Sequence, residues 1–357
     1  MRVLALTRYE RLGSSSRVRF YQYFPYLQSQ GVEITNAPFF NDAYVQSLYM
    51  GRAVSKTSVW SAYLKRLLTV LKSDGYDLIW VEKEIFPWLP AWFEGLLQTA
   101  RIPYIVDYDD AVFHRYDLNK SAVIRFLFKH KIDRVMKRAA MVVAGNAYLA
   151  DRARKAGAHR IEHLPSVVDV NGYTAKTGGT TPPFRIGWIG SPVTAPYLDL
   201  VREALTHLSR EAAIRLVLIG AGNIVPFSNI PTTILSWDEK LETSIGEMFD
   251  VGIMPLVDGP FERGKCGYKL VQYMAAGLPA IASPVGVNQQ MVEPGINGLL
   301  ASSPGEWLEA LRSLIHNPSL AIDMGGAGRQ KAEQKYNLQG TAPKLLDLFK
   351  SAQKVKN

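Results

Sequence analysis

Two α/β domains in tandem, each a set of short buried strands joined by helices, are the fold this sequence predicts. Three observations carry the expectation. Apolar runs of strand length alternate with helix-length stretches along most of the chain, the pattern of βα units. The chain has 357 residues, more than one domain usually holds. The stretch Lys-Thr-Gly-Gly-Thr-Thr-Pro-Pro at 176–183 has linker composition and separates two such halves. The expected division is a first domain over 1–175, a linker over 176–183, a second domain over 184–336 and a C-terminal segment over 337–357.

Apolar residues make up 47% of the chain, enough for full cores, and no apolar run approaches the ~20 residues that span a bilayer. Met1 to Thr7 is apolar but is followed at once by Arg8 and Glu10, which reads as a first strand rather than a signal peptide. A single cysteine, Cys266, cannot form an internal disulfide and fits a reducing, cytoplasmic setting; with no triad-like partner it reads as a packed residue. The net charge of +9 suits nucleic acid, anionic lipid or phosphorylated substrates. No zinc-finger spacing, aromatic RNA-binding motif or basic tail is present, so nucleic acid is excluded in favour of a phosphorylated substrate and an anionic membrane surface.

In the first half, Met1–Leu6 reads as a buried strand and Gly13-Ser14-Ser15-Ser16 as a loop entering a helix, with Ser15 or Ser16 as N-cap and Arg17 and Arg19 following. A helix is expected over Phe20–Gln30, a strand over Val32–Thr35 and helix over Asp42–Lys72. Tyr76–Glu82 is a strand that delivers Glu82, Lys83 and Glu84 to its carboxyl end, where ligands meet parallel sheets. Pro103–Val106 is another, ending in Asp107-Tyr108-Asp109-Asp110. That acidic cluster has three readings: a metal-binding pair, a polar wall in which Asp109 or Asp110 orients an acceptor hydroxyl, or a turn and helix cap. Ser121–Arg138 reads as a basic amphipathic helix, either a crossover helix with a solvated face or a membrane-surface element. Met141–Ala144 is a strand, Asn146 caps the next helix, and Ile161–Leu164 closes the half.

In the second half, Phe184–Ile189 is a strand running into Gly190-Ser191-Pro192-Val193-Thr194. Gly190 allows close backbone approach, and Ser191 and Thr194 offer hydroxyl donors. Ile214–Ile219, Thr233–Leu235, Asp250–Met254 and Gly298–Ala301 are further strands, and Thr233–Leu235 runs into Ser236-Trp237. The most informative stretch is Gly264 to Gly286. Gly264 and Gly267 flank Lys265 in a loop that feeds a helix from Tyr268 to Ala276, Gly277 ends that helix, and Ala280–Ala282 is a short strand. A glycine- and lysine-rich loop at a helix N-terminus is an anion site. Helices are expected at Pro304–His316, Leu320–Tyr336 and Gln339–Ser351.

This stretch resembles the nucleotide-sugar site of retaining glycosyltransferases of GT-B architecture, family four or group one, which carry K-x-x-E-Y/A-M-A-x-G-x-P-V-V-A-S. Lys269, Tyr273, Met274, Ala275, Gly277, Pro279, Ala282 and Ser283 match. Gln272 stands where the family has a ribose-binding glutamate, and Gly264 where it has a second one. The Gly-Ser-Ser-Ser-Arg-Val-Arg loop, the Pro165–Asp169 segment and the Trp-Ile-Gly-Ser turn also resemble the family.

The resemblance implies two Rossmann-like domains facing a cleft, with a C-terminal helix crossing back to the first. It implies transfer of a sugar from a nucleotide-diphospho-sugar, a co-substrate rather than a cofactor, to a saccharide or lipid-linked acceptor, with retention and without a metal. Donor contacts would come from Gly190, Ser191, Thr194, Ser236, Trp237, Arg263, Gly264 and Gln272. Lys265 and Lys269 would stabilise the leaving diphosphate, and Asp109 or Asp110 would orient the acceptor. Gly13, Ser14, Arg17, Glu82 and Glu84 would line the acceptor side. The expected setting is surface-polysaccharide or lipid-linked saccharide assembly in the cytoplasm, at the inner face of a membrane. A nucleotide-sugar epimerase and a non-catalytic nucleotide-sugar binder are the alternatives.

Overall fold

The computed structural model describes residues 1–95, 102–222, 227 and 229–353; positions 354–357 of the expected C-terminal segment lie outside them. The chain forms two compact units: Met1–Ser166 with Arg263–Cys266 and Leu338–Asn357, and Val167–Glu262 with Gly267–Asn337.

The first unit is built on a parallel sheet of β1 (Arg2–Leu6), β2 (Glu33–Asn36), β3 (Leu78–Glu82), β4 (Tyr104–Tyr108), β5 (Met141–Ala144) and β6 (Ile161–His163), in the order β2-β1-β3-β4-β5-β6. β3, β4 and β5 are buried along their whole length, as strands covered on both faces must be. The C-terminal helix Leu338–Gln353 belongs to this unit and buries Leu345, Leu346 and Phe349. Its Phe349 meets the edge of Trp80 at 5.0 Å between ring centres, and Phe20 stacks on the same indole at 3.9 Å.

The second unit holds β7 (Phe184–Ile189), β8 (Ile214–Ile219), β9 (Thr232–Leu235), β10 (Val251–Met254), β11 (Ala280–Ala282) and β12 (Gly298–Leu300). Their order, β12-β11-β10-β7-β8-β9, is again parallel and reverses direction between β7 and β10. In the first unit the reversal falls between β1 and β3. Such reversal points open a crevice outside the carboxyl ends of the strands, where ligands of doubly wound sheets bind.

Several expected helices are divided. The stretch over Asp42–Lys72 is two helices, Asp42–Tyr49 and Lys56–Leu71, because Gly51 turns left-handed at φ 63°. Phe20 leaves helical geometry at φ −128°, so Ser14–Arg19 is one helix, and Phe24–Ser29 restarts with Pro25 in its first turn, where no N–H is needed. The expected basic helix is likewise two, Ala122–Phe128 and Lys131–Arg138. Lys131 does not lie on a solvated face: it is buried and its Nζ meets Glu84 Oε2 at 2.6 Å.

The division between units falls at Ser166–Val167, ahead of the 176–183 stretch read as linker. Val168, Val170 and Tyr173 are buried in the second-unit core, which holds the chain there before the glycines. Lys176, within that stretch, is bonded into the same unit: its Nζ meets Asp250 Oδ1 at 2.6 Å. Asp250 also takes Arg185 Nη2 at 2.8 Å and the Arg185 backbone N–H at 2.7 Å, tying the start of β10 to the start of β7. Burial pushes the Asp250 carboxyl up, but hydrogen bonds from Arg185 and Lys176 outweigh it and hold the group below its ordinary value of 3.8. A depressed carboxyl contributes stability that is present above its unfolded value and lost as pH falls through its folded value. Asp250→Asn should therefore cost about 3 kcal/mol at pH 7. In urea melts the gap to the unmodified protein should close as pH drops below 3.8; a gap independent of pH would contradict the ion-pair assignment.

Candidate active site

At the reversal point of the first unit, acidic residues from two strand ends are each met by a cation. Glu82 and Asp107 are register partners across β3 and β4. Asp107 receives a two-pronged bond from Arg19, Nε to Oδ1 at 2.7 Å and Nη2 to Oδ2 at 3.1 Å, and Arg19 also donates to the Leu164 carbonyl at 2.8 Å. Glu82 accepts the Arg8 backbone N–H at 2.7 Å and the Ser16 hydroxyl at 2.6 Å, and burial pushes its pKa up. Glu84 accepts from Lys131, from the Tyr116 hydroxyl at 2.8 Å and from Arg8 Nη1 at 3.3 Å.

Between these lies Lys83, at φ 64°. A lysine in the left-handed region costs on the order of 1 kcal/mol and is kept where its surroundings require it. Here the turn aims Nζ at Asp109 Oδ1, 2.8 Å away, and at the Ser15 hydroxyl at 2.9 Å, with Asp110 Oδ2 at 3.9 Å. Ser15 donates to Asp109 Oδ2 at 2.5 Å. Burial raises the Asp109 pKa, yet Lys83 and Ser15 together hold it below the usual aspartate value, so this carboxylate is ionised at neutral pH.

The Lys265 loop belongs to the same unit. Asn146 caps the helix Ala147–Ala156 through Oδ1, which accepts the Leu149 N–H at 3.0 Å. Its Nδ2 turns the other way and donates to the carbonyls of Gly264 at 2.9 Å and Lys265 at 3.0 Å. A Cβ at Gly264 would lie 2.4 Å from that of Ala111, so only glycine lets the loop sit this close. Lys265 Nζ is then 3.8 Å from Asp110 Oδ1. Cys266 is buried against this loop and burial pushes its thiol well up, so it is a packing residue, as its sequence context suggests.

In the second unit, β7 ends at Trp188-Ile189 and turns at Gly190. A Cβ at Gly190 would lie 2.4 Å from the Trp188 ring. Lys269, in the first turn of the helix Tyr268–Ala275, sets its Nζ 5.3 Å from the centre of that ring. Thr194 Oγ1 accepts from the Ser191 N–H at 3.2 Å and its backbone N–H donates to the Ser191 carbonyl at 2.9 Å, forming a tight turn beside Gly190. Lys269, Gly190, Ser191 and Thr194 are thus tied to the carboxyl end of one strand. A second cluster surrounds Glu242, which accepts from Trp237 Nε1 at 2.9 Å, from the Tyr268 hydroxyl at 2.7 Å and from the Tyr173 hydroxyl at 3.2 Å.

Four expected site residues are placed otherwise than the sequence suggests. Glu82 and Glu84 are buried and bonded within the first unit, because the strand that delivers them ends beneath Arg8, Ser16 and Lys131. Arg17 is buried and reaches the Arg11 carbonyl at 3.5 Å. Gln272 is buried within its helix, near the Tyr173 hydroxyl. Gly13 precedes the helix Ser14–Arg19 and accepts the Arg17 N–H at 2.8 Å, while Ser14, Ser236 and Arg263 are exposed. Sequence reasoning missed Glu242 and the second role of Asn146. A cap signature names only one of an asparagine's two polar atoms, and nothing in the sequence brings residues 173, 237, 242 and 268 together.

Residues 183–317 match the family model described as glycosyl transferases group 1. The D-inositol 3-phosphate glycosyltransferase of Corynebacterium urealyticum is 31% identical over 110 residues, which span 30% of this chain and 24% of that protein. Among solved structures, a sucrose-phosphate synthase from Thermosynechococcus elongatus superposes with a TM-score of 0.72 at 15% identity, covering 98% of each chain. The Anabaena protein HepE, solved in complex with UDP-glucose, superposes equally, with a TM-score of 0.72, 15% identity and coverage of 98% of this chain and 100% of that one. The chain as a whole therefore has the GT-B fold of two Rossmann-like units, and the segment matching the group 1 glycosyltransferase model lies in the second of them.

Proposed function

We propose that this chain transfers a glycosyl group from a nucleoside-diphosphate sugar to an acceptor hydroxyl, with retention at the anomeric carbon and with no metal in the site. The observation that carries the reading is the grouping of Lys269, Trp188, Gly190, Ser191 and Thr194 at the carboxyl end of β7, within the segment that matches the family model. A cation at the first turn of a helix beside a glycine turn is suited to a diphosphate. HepE was solved with UDP-glucose, which makes uridine nucleotides the first donors to try.

In the reaction the bond between the anomeric carbon and the diphosphate oxygen breaks, a bond to the acceptor oxygen forms, and the acceptor hydroxyl's proton passes to the departing diphosphate. Negative charge grows on the departing diphosphate, and Lys269 stabilises it. Trp237, steadied by its bond to Glu242, supplies a flat face for the base. Asp109, held ionised by Lys83 and Ser15, accepts the acceptor hydroxyl's hydrogen bond, with Asp110 beside it. The acceptor would be a saccharide or lipid-linked saccharide handled in the cytoplasm; among the described residues no helix is long and apolar enough to cross a membrane.

Lys269→Ala should weaken nucleoside-diphosphate binding by about 1–3 kcal/mol in calorimetry, the worth of a charged hydrogen bond. Equal affinity in the two proteins would remove Lys269 from the donor site. Asp109→Asn should leave that affinity within about twofold and lower turnover of the nucleotide sugar by on the order of a hundredfold; loss of nucleotide binding instead would move Asp109 to the donor side. Turnover in excess chelator should equal turnover with magnesium, whereas abolition by chelator would return the acidic cluster to a metal role.

A further inference from the structure

The first unit contains a cavity of about 720 Å³ lined by none of the residues assigned to glycosyl transfer. One wall is the helix Lys56–Leu71, which presents Trp60, Tyr63, Leu64 and Leu67 at helical spacing; Phe93 is among the residues facing them. The Tyr63 hydroxyl is bonded to the Pro87 carbonyl, so the wall is apolar in effect, and among the described residues of the lining Lys56 is the charged one.

The volume is that of a small-molecule site rather than of a flat protein contact. An extended peptide placed there would bury backbone N–H and C=O groups against walls with nothing to bond them, which is costly. A hydrocarbon chain carries no such groups. The charge around the opening selects the headgroup that such a chain would carry. Residues 43–73 contain no aspartate or glutamate, and of their basic residues Arg52, Lys56, Lys65 and Lys72 are exposed, while Arg66 turns inward to the Thr7 and Ala37 carbonyls. Large apolar side chains stand in solvent on the same face and beside it: Trp60 is 75% exposed, and Trp92 is 66% exposed while stacked on Phe93. Tryptophan and lysine around an apolar opening are the residues that settle at a bilayer interface.

We propose that this cavity takes one hydrocarbon chain of an anionic lipid from a membrane leaflet, with Lys56 beside the headgroup. The assignment stands on the cavity alone and does not depend on the chain being a glycosyltransferase.

Co-sedimentation of the full chain with vesicles tests it. One set is phosphatidylcholine alone; in the other about a third of the lipid is phosphatidylglycerol. The protein should partition at least roughly tenfold more strongly onto the anionic vesicles. Leu67→Trp fills the cavity and leaves Trp60, Lys65 and Lys72 in place; it should weaken that partition roughly tenfold. Lys56→Glu, an exposed change that the fold tolerates, should do the same. Undiminished binding by Leu67→Trp, folded by its melting curve, would mean adsorption at the surface only and overturn the proposal, as would unchanged binding by Lys56→Glu. Indifference to both vesicle types overturns it too, and self-association in that case would assign the groove to a second copy of the chain.

Discussion

Burial of charge at the carboxyl ends of β3 and β4 is the constraint on which the first unit depends. Glu82, Glu84 and Asp107 are withdrawn from water, and Asp109 nearly so. Each buried ion costs several kcal/mol unless matched, so the surrounding chain is committed to matching them. Arg19 must leave the helix Ser14–Arg19 toward Asp107, Lys131 must point inward from the middle of the chain toward Glu84, and Lys83 must adopt a left-handed backbone to reach Asp109. These pairs fix the first loop, with Ser15 and Ser16 bonded to Asp109 and Glu82, relative to the strand ends. The outcome is selective. Glu82, Glu84 and Asp107 are closed by protein donors, whereas Asp109 and Asp110 keep part of their surface, with side chains 13% and 25% exposed.

The second unit solves a different problem, which is to bring backbone and cation close to a shared point. A glycine at 190 makes room for the Trp188 ring, and that ring underlies Lys269. Glu242 gathers the hydroxyls of Tyr173 and Tyr268 and the indole N–H of Trp237, so one buried carboxylate orients three aromatic residues from separate parts of the unit. Gln272 is enclosed in the same neighbourhood. Rigid aromatic side chains locked in this way are what a precise binding surface requires.

Strands were the most legible part of the sequence, because a strand buried along most of its length is a mainly apolar run, broken here only by Arg185 and Arg215 near two strand starts: Phe184–Ile189, Ile214–Ile219, Met141–Ala144 and Ala280–Ala282 lie where the pattern predicts them. Helix interruptions were not, since the break after Tyr49 depends on one glycine's backbone and the break at 129–130 leaves no strong signal. In the site, the chemistry of Lys269 and the Gly190 turn was readable because both lie in local motifs. The fate of the acidic residues was not. Glu82 and Asp109 both end strands and look alike in sequence; only the long-range pairing of β3, β4 and the Ser14–Arg19 helix decides that one is enclosed and the other partly open. The burial of Gln272 was not readable either, since Tyr173, which lies near it, is distant in the chain.

The central claim is that the second unit is a working nucleotide-sugar site. A calorimetric screen of the full chain against uridine, guanosine, adenosine and thymidine diphosphates and their sugars, with and without magnesium, tests it most directly. The account predicts that one nucleoside diphosphate binds with a Kd on the order of micromolar to tens of micromolar, and that magnesium is not needed. Absence of binding by every nucleotide, from protein whose melting curve shows it folded, would contradict the account and leave a GT-B fold without a donor site.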